Sequence, residues 1–465
     1  MSRELHTFDA ALERVTHDIT RIGNLLRDTD RYLRGRYSAT SSAGGWRQFL
    51  QEDGAPSAAG TSCSVTALVA MGVARTDTQL KGATEFLMAD ACADGGWSKP
   101  RHSGQFSLTL TTCMSLLALA DMEVPAEHPA FSGGLTWLTN AQNPDGGWGG
   151  IARDGLSDTT STAYAIRVLT VDAEVESRAR AQIDAGVDWL TRGRSDTGGW
   201  GVRGDEPPSL AHTSHAVEAL LAAGRPRESL RSAQEWMVRE LGTSPLMPWV
   251  EHYNFPDGYG ESVAATMRSE RLRWTHLPAE RSLIALMKLG HDPRHEIVGP
   301  LVEDIVRRHQ GAYWQVQSMP GTAPSWAVVE AVRALDVYRK ALETTGYTSV
   351  FREIADVLVE RMSATDSENV TLRADVAVLE ERVAALETAR ETRSRIARAL
   401  RRVRAFCTSP ATLATLVIAT TAALVVLYLQ VWSPEAEEGD RMIGVSTIIV
   451  PALALLEMVR RRGAP

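Results

Sequence analysis

The sequence predicts an all-α protein built from repeated helix pairs, and two observations support this prediction. The first is a Gly-Gly-Trp tripeptide whose tryptophans recur 51 or 52 residues apart, with two further tryptophans continuing the series: Trp46, Trp97, Trp148, Trp200, Trp249 and Trp314. The second is that the intervals contain one helix that is apolar on nearly all sides and one amphipathic helix. Such repeats stack against each other, because a single helix pair cannot bury its own apolar surface.

The two helix types predict two layers, since a helix that is apolar all round is buried and one with a single apolar stripe lies at the surface. The predicted inner helices are 61–72, 107–120, 160–171, 210–223, 279–289 and 326–337. The predicted outer helices are 77–90, 129–142, 178–191, 226–241 and 294–308. Residues 5–37 form another amphipathic helix, which we expect outside the barrel. The glycines of each tripeptide are expected to adopt the left-handed conformation that stops a helix, with the indole packed between adjacent pairs.

Composition is that of a globular protein, with 44% hydrophobic residues, 23% charged residues and a net charge of −8. This balance argues against a nucleic-acid partner, which requires clustered surplus cations. The four cysteines have neither paired nor C-x-x-C spacing: Cys63, Cys92, Cys113 and Cys407. They indicate a reducing compartment and do not form a standard zinc quartet.

One tripeptide lies in a longer motif. Gln142-Asn-Pro-Asp145-Gly-Gly-Trp148 matches the Q-x-x-D-G-G-W motif of squalene–hopene cyclases and related class II terpene cyclases, and the degenerate copies resemble repeats of protein prenyltransferase β-subunits. The resemblance covers about residues 40–340. It implies a closed (α/α)6 toroid of six Gly-Gly-Trp-punctuated helix pairs at 41–345, with the inner helices lining a central cavity. In that superfamily the cavity binds isoprenoid chains, so the resemblance implies that the ligand is an isoprenoid or a related membrane lipid.

The cyclase resemblance implies a catalytic candidate, because class II cyclases protonate an alkene with the middle aspartate of D-x-D-D-T-A. The matching segment begins Asp158-Thr-Thr160-Ser161. In one alignment Asp158 takes the first acid position and Thr160 replaces the proton donor, although a hydroxyl is too weak an acid for this step. In the other, Asp158 is the middle acid and Leu156 replaces the first. Asp158 and Thr160 are therefore the catalytic candidates of an incomplete motif, and whether the protein is an enzyme stays open.

The prenyltransferase resemblance implies a zinc site formed by Asp and Cys of one repeat and His of the next. Asp158 and His212 lie near the family's offsets, but Thr160 stands where the cysteine would be. Zinc would lack a soft ligand, so we expect neither metal nor other cofactor, with zinc or magnesium as the alternative. His215, one helical turn from His212, is a candidate binding residue.

Other interpretations compete with these functional ones. Asp158 has the position of a helix N-cap, and His212 opens the next helix, where it would contact a backbone group. Tyr253 and Trp274 lie in the widened fifth interval, where aromatic residues line a terpenoid pocket or form ordinary core.

The C-terminal part has a different pattern. Heptads from Asn369 to Leu386 predict a coiled coil, with a homodimer through 366–390, or a long helix lying on the toroid. Seven arginines between Arg390 and Arg404 precede the apolar run Ala411–Trp432, and 443–456 is a second apolar stretch. The two apolar stretches predict two membrane spans. Because arginines next to a span stay on the cytosolic side, we expect the toroid and both termini in the cytosol. The predicted domains are an N-terminal helix (1–40), the toroid (41–345), a coiled-coil and basic segment (346–408) and a two-span membrane anchor (409–465).

Two hypotheses follow from this organisation. In the first, a membrane-anchored barrel of the terpenoid cyclase and prenyltransferase type binds, and in its catalytic form transforms, an isoprenoid. In the second, a non-catalytic toroid acts as a scaffold or lipid sensor, and a coiled coil couples it to a transmembrane hairpin. The incomplete acid motif and the missing cysteine favour the second.

Overall fold

The structure is a computed structural model that describes residues 2–39, 43–98, 107–150, 156–243, 246, 249–253, 272–316, 319–346, 377–381 and 384. Within these residues the chain is mostly helical, as the sequence predicts. The chain divides into two units, Met1–Ile354 and Ala355–Pro465. The toroid belongs to the first.

Six inner helices form a closed ring. They are α2 (Ala58–Ala70), α4 (Thr109–Asp121), α6 (Thr159–Leu169), α9 (Leu210–Ala222), α11 (Pro278–Lys288) and α13 (Ser325–Ala341). Each packs against the next, and α13 packs against α2. The predicted closed toroid is therefore confirmed, with the inner helices beginning within three residues of their predicted starts.

The outer layer also consists of six helices. They are α1 (Ser2–Gly35), α3 (Thr78–Ala89), α5 (Pro129–Asn140), α8 (Arg180–Arg192), α10 (Arg231–Thr243) and α12 (Val298–Arg307). Three short helical segments accompany them: α7 (Ala173–Arg178), a 3-10 turn (Arg227–Leu230) and a π-helical turn (Leu342–Gly346).

The N-terminal helix α1 completes the sixth pair. It packs against α13, and the Trp46 indole Nε1 donates a hydrogen bond of 2.7 Å to the backbone oxygen of Leu33 in α1. Trp97 makes the same bond to Leu87, at the end of outer helix α3. The expectation that this helix lies outside the barrel is confirmed, and its role is more specific than predicted. It stands where the repeat requires an outer helix, so the toroid pairs the first helix of the chain with the last inner helix.

Backbone hydrogen bonds join inner helices α4, α6 and α13 to the next repeat. Thr159, the first residue of α6, donates its N–H to the oxygen of Val202, two residues after the next tryptophan of the series, at 2.9 Å. Ser325, the first residue of α13, donates in the same way to Gln48, two residues after Trp46, at 2.8 Å. The last repeat therefore meets the first through the bond that joins internal repeats.

The four Gly-Gly-Trp tryptophans each tie two helices together. The indole of Trp148 is fully buried, its backbone N–H donates to Thr162 Oγ1 at 2.9 Å, and its Nε1 donates to the Leu138 oxygen at 2.8 Å. Gly146 has φ of 93°, which confirms the left-handed conformation. It does not stop the helix, however, because α5 has already ended at Asn140. The glycine instead shapes the turn that follows.

The acidic residue of the long motif has a structural role. Asp145 Oδ1 accepts hydrogen bonds from Gly147 N at 3.0 Å and Ser157 Oγ at 2.7 Å, and its Oδ2 accepts one from Trp189 Nε1 at 2.9 Å. Trp189 belongs to the outer helix of the next pair. The motif therefore joins neighbouring repeats, which explains why it recurs with the period of the fold.

The all-α prediction needs one correction. Strands β1 (Ser38–Ala39) and β2 (Gly44–Gly45) pair, and so do β3 (Trp249–Tyr253) and β4 (Leu272–His276), both antiparallel. The second pair lies in the widened fifth interval. Its strands are rich in aromatic and β-branched residues, which favour an extended backbone.

Several predictions lie outside the described residues. The anchor at 409–465 does so entirely, and the coiled coil and homodimer segment at 366–390 does so except for the helical residues 377–381 and 384. The localisation, dimer and domain boundaries stay predictions. Among the helices that the structure describes, none combines the length and the apolar character required to cross a bilayer.

Candidate ligand site in the toroid lumen

Asp158 lies at the rim of the ring, where it caps α6. Its Oδ1 accepts a hydrogen bond from the backbone N–H of Ser161 at 2.7 Å, and its Oδ2 accepts one from the Ser161 hydroxyl at 2.8 Å. The residue is buried. This geometry is that of a helix N-cap, in which a side-chain oxygen satisfies a free backbone donor of the first turn. The capping interpretation is confirmed, and the catalytic assignment stays a prediction.

The neighbouring candidates occupy the same rim. Thr160 is fully buried, and its hydroxyl has no hydrogen-bond partner among the described residues. His212 lies in the first turn of α9, the next inner helix, and its Nδ1 is 2.6 Å from the hydroxyl of Ser209, the N-cap of α9. Both residues therefore begin adjacent inner helices, as the sequence predicts. The Ser209 hydroxyl is one partner of His212, and the expected contact of His212 with a backbone group stays a prediction.

Three buried histidines lie together. The ring of His276, in β4, is centred 4.9 Å from that of His212 and 5.6 Å from that of His215. The sequence analysis missed His276 because it belongs to the widened interval and not to an inner helix. No three His, Cys, Asp or Glu side chains in the described part of the chain are placed to hold a metal ion. The cofactor prediction stays untested.

His215 is held neutral by its surroundings. It is fully buried, and both ring nitrogens lack hydrogen-bond partners among the described residues. Burial lowers the pKa of His215 well below its usual value, and the charge of Arg281 and the nearby His276 act in the same direction, whereas Glu218 opposes them. On the α6 side its ring faces Tyr164, 5.5 Å between centroids.

We expect stability to fall as the pH is lowered through the range in which an unfolded histidine takes up a proton. Because the pKa of His215 is lower in the folded chain than the value of about 6.5 in the unfolded chain, the unfolded state binds the proton first. The contribution of neutral His215 to the free energy of unfolding is complete above a pH of about 6.5. It is lost as the pH falls below that value, at up to about 1.4 kcal/mol per pH unit. Denaturant unfolding of the wild type and of His215→Leu at pH values between about 5 and 7.5 measures this difference.

The matched control is His17→Leu, since His17 is an exposed residue of α1. His215→Leu is expected to flatten the pH dependence, and His17→Leu to leave it unchanged. Equal slopes for the wild type and His215→Leu would contradict the assignment.

Two of the predicted binding residues are in the hairpin of the fifth interval. Tyr253 ends β3 and Trp274 lies in β4, opposite Glu251. Their side chains lie outside the described part of the structure, so their role stays a prediction.

A network of ion pairs crosses the ring. Arg281 of α11 donates to Glu218 of α9 at 3.2 Å and to the Tyr164 hydroxyl of α6 at 2.7 Å, and it also pairs with Glu330 of α13. Helices α11 and α6 are not neighbours in the ring, so the bond between them passes through the interior. The lumen that the family resemblance implies is thus partly filled by charged side chains.

Glu218 is the centre of this network. Its carboxylate lies 3.0 Å from Lys288 Nζ, 2.7 Å from Arg333 Nη2 and 4.0 Å from Arg167 Nε, in addition to Arg281. Burial alone would raise the pKa of Glu218, but these four cations hold it well below its usual range. The carboxylate is fully buried and ionised.

The sequence analysis missed this network, although it contained a signal. Arg167 and Glu218 are each the single Asp, Glu, Lys or Arg residue of a predicted inner helix, and Glu330 lies in another predicted inner helix. Charged residues are almost never fully buried unless they are paired. A charge inside a predicted inner helix therefore predicts a partner across the lumen, but the sequence does not say which one.

A cavity of about 200 Å³ lies beside the network and is lined by residues of α2, α4, α6 and α13. The apolar lining residues are Cys63, Met114, Leu117, Trp326 and Val329. Burial raises the pKa of the Cys63 thiol to about 12, which keeps this thiol uncharged. The polar and charged lining residues are Ser62, Thr66, Asp121, Tyr164, Arg167, Glu330 and Arg333. A cavity lined by both apolar and charged side chains is suited to an amphiphilic ligand.

Fold and site together define a closed α/α toroid with a lumenal cavity. Residues 37–244 match the family model described as the Prenyltransferase alpha-alpha toroid domain. Squalene–hopene cyclase of Zymomonas mobilis is 28% identical over 148 residues, which cover 29% of this chain and 21% of that protein. The toroid is thus similar to the terpenoid cyclase and prenyltransferase-like superfamily. The chain spans only about a fifth of the length of this curated relative.

Comparison with solved structures finds two terpene cyclases, both at TM-scores below 0.5. A variant of the type II terpene cyclase MstE from Scytonema, in complex with geranylgeranyl dihydroxybenzoate, is 14% identical, with a TM-score of 0.46 over 70% of this chain and 99% of that one. The ent-copalyl diphosphate synthase of Streptomyces platensis is 19% identical, with a TM-score of 0.39 over 60% of this chain and 49% of that one.

Proposed function

We propose that the toroid is a lipid-binding module that receives an isoprenoid or a similar branched chain in the lumenal cavity and does not cyclise it. The observation that carries the proposal is the cavity itself, whose lining combines apolar side chains with ion-paired ones. The predicted anchor at 409–465 and the predicted coiled coil at 366–390 would hold the module at a membrane, where such a ligand is found. Fractionation of cells that express the full chain tests this placement.

The apolar lining residues of the cavity support the proposal that the ligand is a lipid. Met114, Leu117 and Val329 supply aliphatic surface, and Trp326 supplies an aromatic face. Burying the apolar surface of a ligand contributes roughly 25 cal/mol per Å². The volume of about 200 Å³ is smaller than that of common ligand pockets, which begin at about 300 Å³. We therefore expect a single short prenyl chain and not a whole C30 polyene.

Two features argue against cyclisation. A polyene folded across the lumen would have to displace Arg281 from Glu218 and Glu330, and breaking a buried ion pair is costly. In addition, Asp158 uses both carboxylate oxygens to cap α6. The cap accounts for the position of Asp158 without a role in proton transfer.

The binding proposal is tested by titrating the full-length protein, in detergent, with farnesol and following tryptophan fluorescence. The wild type is expected to bind. Leu117→Trp fills the cavity and is expected to weaken binding by at least about tenfold, since overfilling a packed site removes space that the ligand needs. The matched control is Leu156→Trp, the same change at an exposed residue.

Equal affinity of Leu117→Trp and Leu156→Trp would show that the ligand does not use the cavity. The absence of cyclisation is checked in the same samples by gas chromatography after incubation with squalene, farnesyl diphosphate and geranylgeranyl diphosphate. We expect unchanged substrate. In Asp158→Ala we expect a loss of about 1 kcal/mol of stability from the missing cap, with farnesol binding retained.

A second candidate function is chemical transformation of the ligand. It is favoured by the buried His215, whose ring nitrogens have no partners among the described residues, and by the free hydroxyl of Thr160. Unsatisfied buried polar groups are costly and sometimes mark catalytic sites. A product in the chromatogram that disappears in Asp158→Ala would establish this function and overturn the first.

A further inference from the structure

Two histidines lie together outside the lumen, in the turn that joins α11 to α12. His291 and His295 are four residues apart in the sequence, and their ring centroids are 4.7 Å apart, with an angle of 59° between the ring planes. The His295 N–H donates a hydrogen bond of 3.1 Å to the backbone oxygen of Asp292, which closes the turn between them. Neither histidine lines the lumenal cavity.

The separation of the two rings fits a shared metal ion. A metal–nitrogen bond is about 2.0–2.1 Å long, which places the ion about 3.2 Å from the centroid of a ligating imidazole ring. Two imidazoles on one ion therefore have centroids about 4.5–5.2 Å apart, for nitrogen–metal–nitrogen angles of about 90–110°. The observed distance of 4.7 Å lies within this range.

His291 offers a ligand atom for such an ion. Its Nε2 is buried and has no hydrogen-bond partner among the described residues. Its Nδ1 lies 3.1 Å from the side-chain amide of Gln234, in α10. An amide whose oxygen is turned to the ring accepts the Nδ1 proton and leaves the Nε2 lone pair free, which is the arrangement of most metal-ligating histidines.

His295 can supply the second ligand atom because it is exposed and weakly held. Its Nδ1 accepts a hydrogen bond of 3.4 Å from the backbone N–H of Ile297. Such bonds are usually about 2.7–3.2 Å long, so the ring loses little when it turns to an ion. The described part of the chain has no group of three His, Cys, Asp or Glu side chains placed to hold a metal, so water would complete the coordination.

The charges near the pair do not oppose a cation. Burial lowers the pKa of His291, and the nearby His295 lowers it further, whereas Asp292 opposes the shift. The His291 ring is therefore neutral at neutral pH, the form in which histidine binds a metal. Four charged residues lie in the turn or against it, and they balance: Asp292 and Glu296 against Arg227 and Arg294.

We propose that His291 and His295 together bind one divalent transition-metal ion, through Nε2 of His291 and a ring nitrogen of His295. Imidazole ligands suit zinc, nickel and copper. The ion would hold the turn between α11 and α12 and, through Gln234, would link it to α10 in the neighbouring helix pair. We therefore expect the ion to stabilise this part of the ring, since a ligand that binds only the folded state raises its stability. The site is independent of the lumenal ligand.

Isothermal titration of the full-length protein, free of any histidine tag, with the chlorides of copper(II), nickel and zinc tests the site. We expect one ion per chain, with copper bound more tightly than nickel or zinc, and weaker binding as the pH falls and histidine takes up a proton. His291→Gln and His295→Gln are each expected to weaken binding by at least about tenfold, since one imidazole alone lacks the advantage of two linked ligands.

The double variant distinguishes a shared ion from two independent histidines. If one ion is shared, His291→Gln with His295→Gln loses little more affinity than either single variant, whereas the losses of independent sites multiply. The matched control is His17→Gln, the same change at an exposed histidine of α1, which is expected to leave the affinity unchanged. The melting temperature of each variant without metal checks that it is folded.

The melting temperature with metal gives a second readout. Copper or nickel is expected to raise that of the wild type and of His17→Gln, and to change that of either His291→Gln or His295→Gln much less. Multiplying losses in the double variant, wild-type affinity in both single variants, or no binding of any of the three metals would overturn the site. None of these results affects the farnesol titration, so the two proposals succeed or fail separately.

Discussion

Replacing Glu218 with Gln is expected to lower the free energy of unfolding by about 3–5 kcal/mol, the usual cost of removing one partner from a buried ion pair. The carboxylate is fully buried and contacts cations from α11 and α13 as well as Arg167 of α6. Its loss leaves the basic groups of the lumen uncompensated in a low-dielectric interior. Denaturant unfolding of the full-length protein, followed by tryptophan fluorescence, measures the change.

The matched control for this variant is Glu174→Gln. Glu174 is exposed and pairs only along its own helix with Arg178, so its loss should cost no more than about 0.5 kcal/mol. The double variant Glu218→Gln with Lys288→Met removes one of the unpaired cations and is expected to recover part of the lost stability. A cost below about 1 kcal/mol for Glu218→Gln would contradict the assignment of this residue as the centre of the lumenal network.

The second large effect is expected for Trp148→Ala, at about 3–5 kcal/mol. The indole is fully buried, and Gly186 of the neighbouring outer helix packs so closely against it that an added Cβ would lie 2.8 Å from the ring. The substitution opens a cavity between repeats and leaves the Leu138 oxygen without its indole donor. Unfolding in denaturant again provides the measurement.

Trp137→Phe is the matched control for the tryptophan series. Trp137 is partly exposed, and its Nε1 donates a single hydrogen bond of 2.9 Å to Asp94. Phenylalanine keeps most of its apolar surface, so the expected loss is about 0.5–1.5 kcal/mol. If Trp148→Ala were no more destabilising than Trp137→Phe, the periodic tryptophans would not be the residues that hold the repeats together.

The fold could be predicted from the sequence because its main determinant is local and repeated. Trp148, for example, bonds to Leu138, ten residues before it near the end of α5, and to Thr162, fourteen residues after it in the first turn of α6, so the period carries the contact. Closure of the ring required the family resemblance. The place of α1 as the sixth outer helix was not predicted, because its contact with α13, the last inner helix along the chain, forms only when the ring closes.

The site was less predictable for a physical reason. The candidates at Asp158 and His212 followed from motif positions, and the structure does place both at the rim of adjacent inner helices. The lumenal network depends on pairs that are distant in sequence, such as Arg281 with Tyr164 and with Glu330. Helical periodicity predicts which side of a helix is buried, but it does not predict which buried charge will meet which other.

The position of a bound prenyl ligand tests the central claim most directly. We predict that a crystal structure of the complex with farnesol will show the chain between Leu117 and Trp326, with the pair Arg281–Glu330 intact. A ligand bound instead at the rim beside Asp158 and His212, or one that has displaced Arg281 from the lumen, would contradict the claim and favour a catalytic toroid.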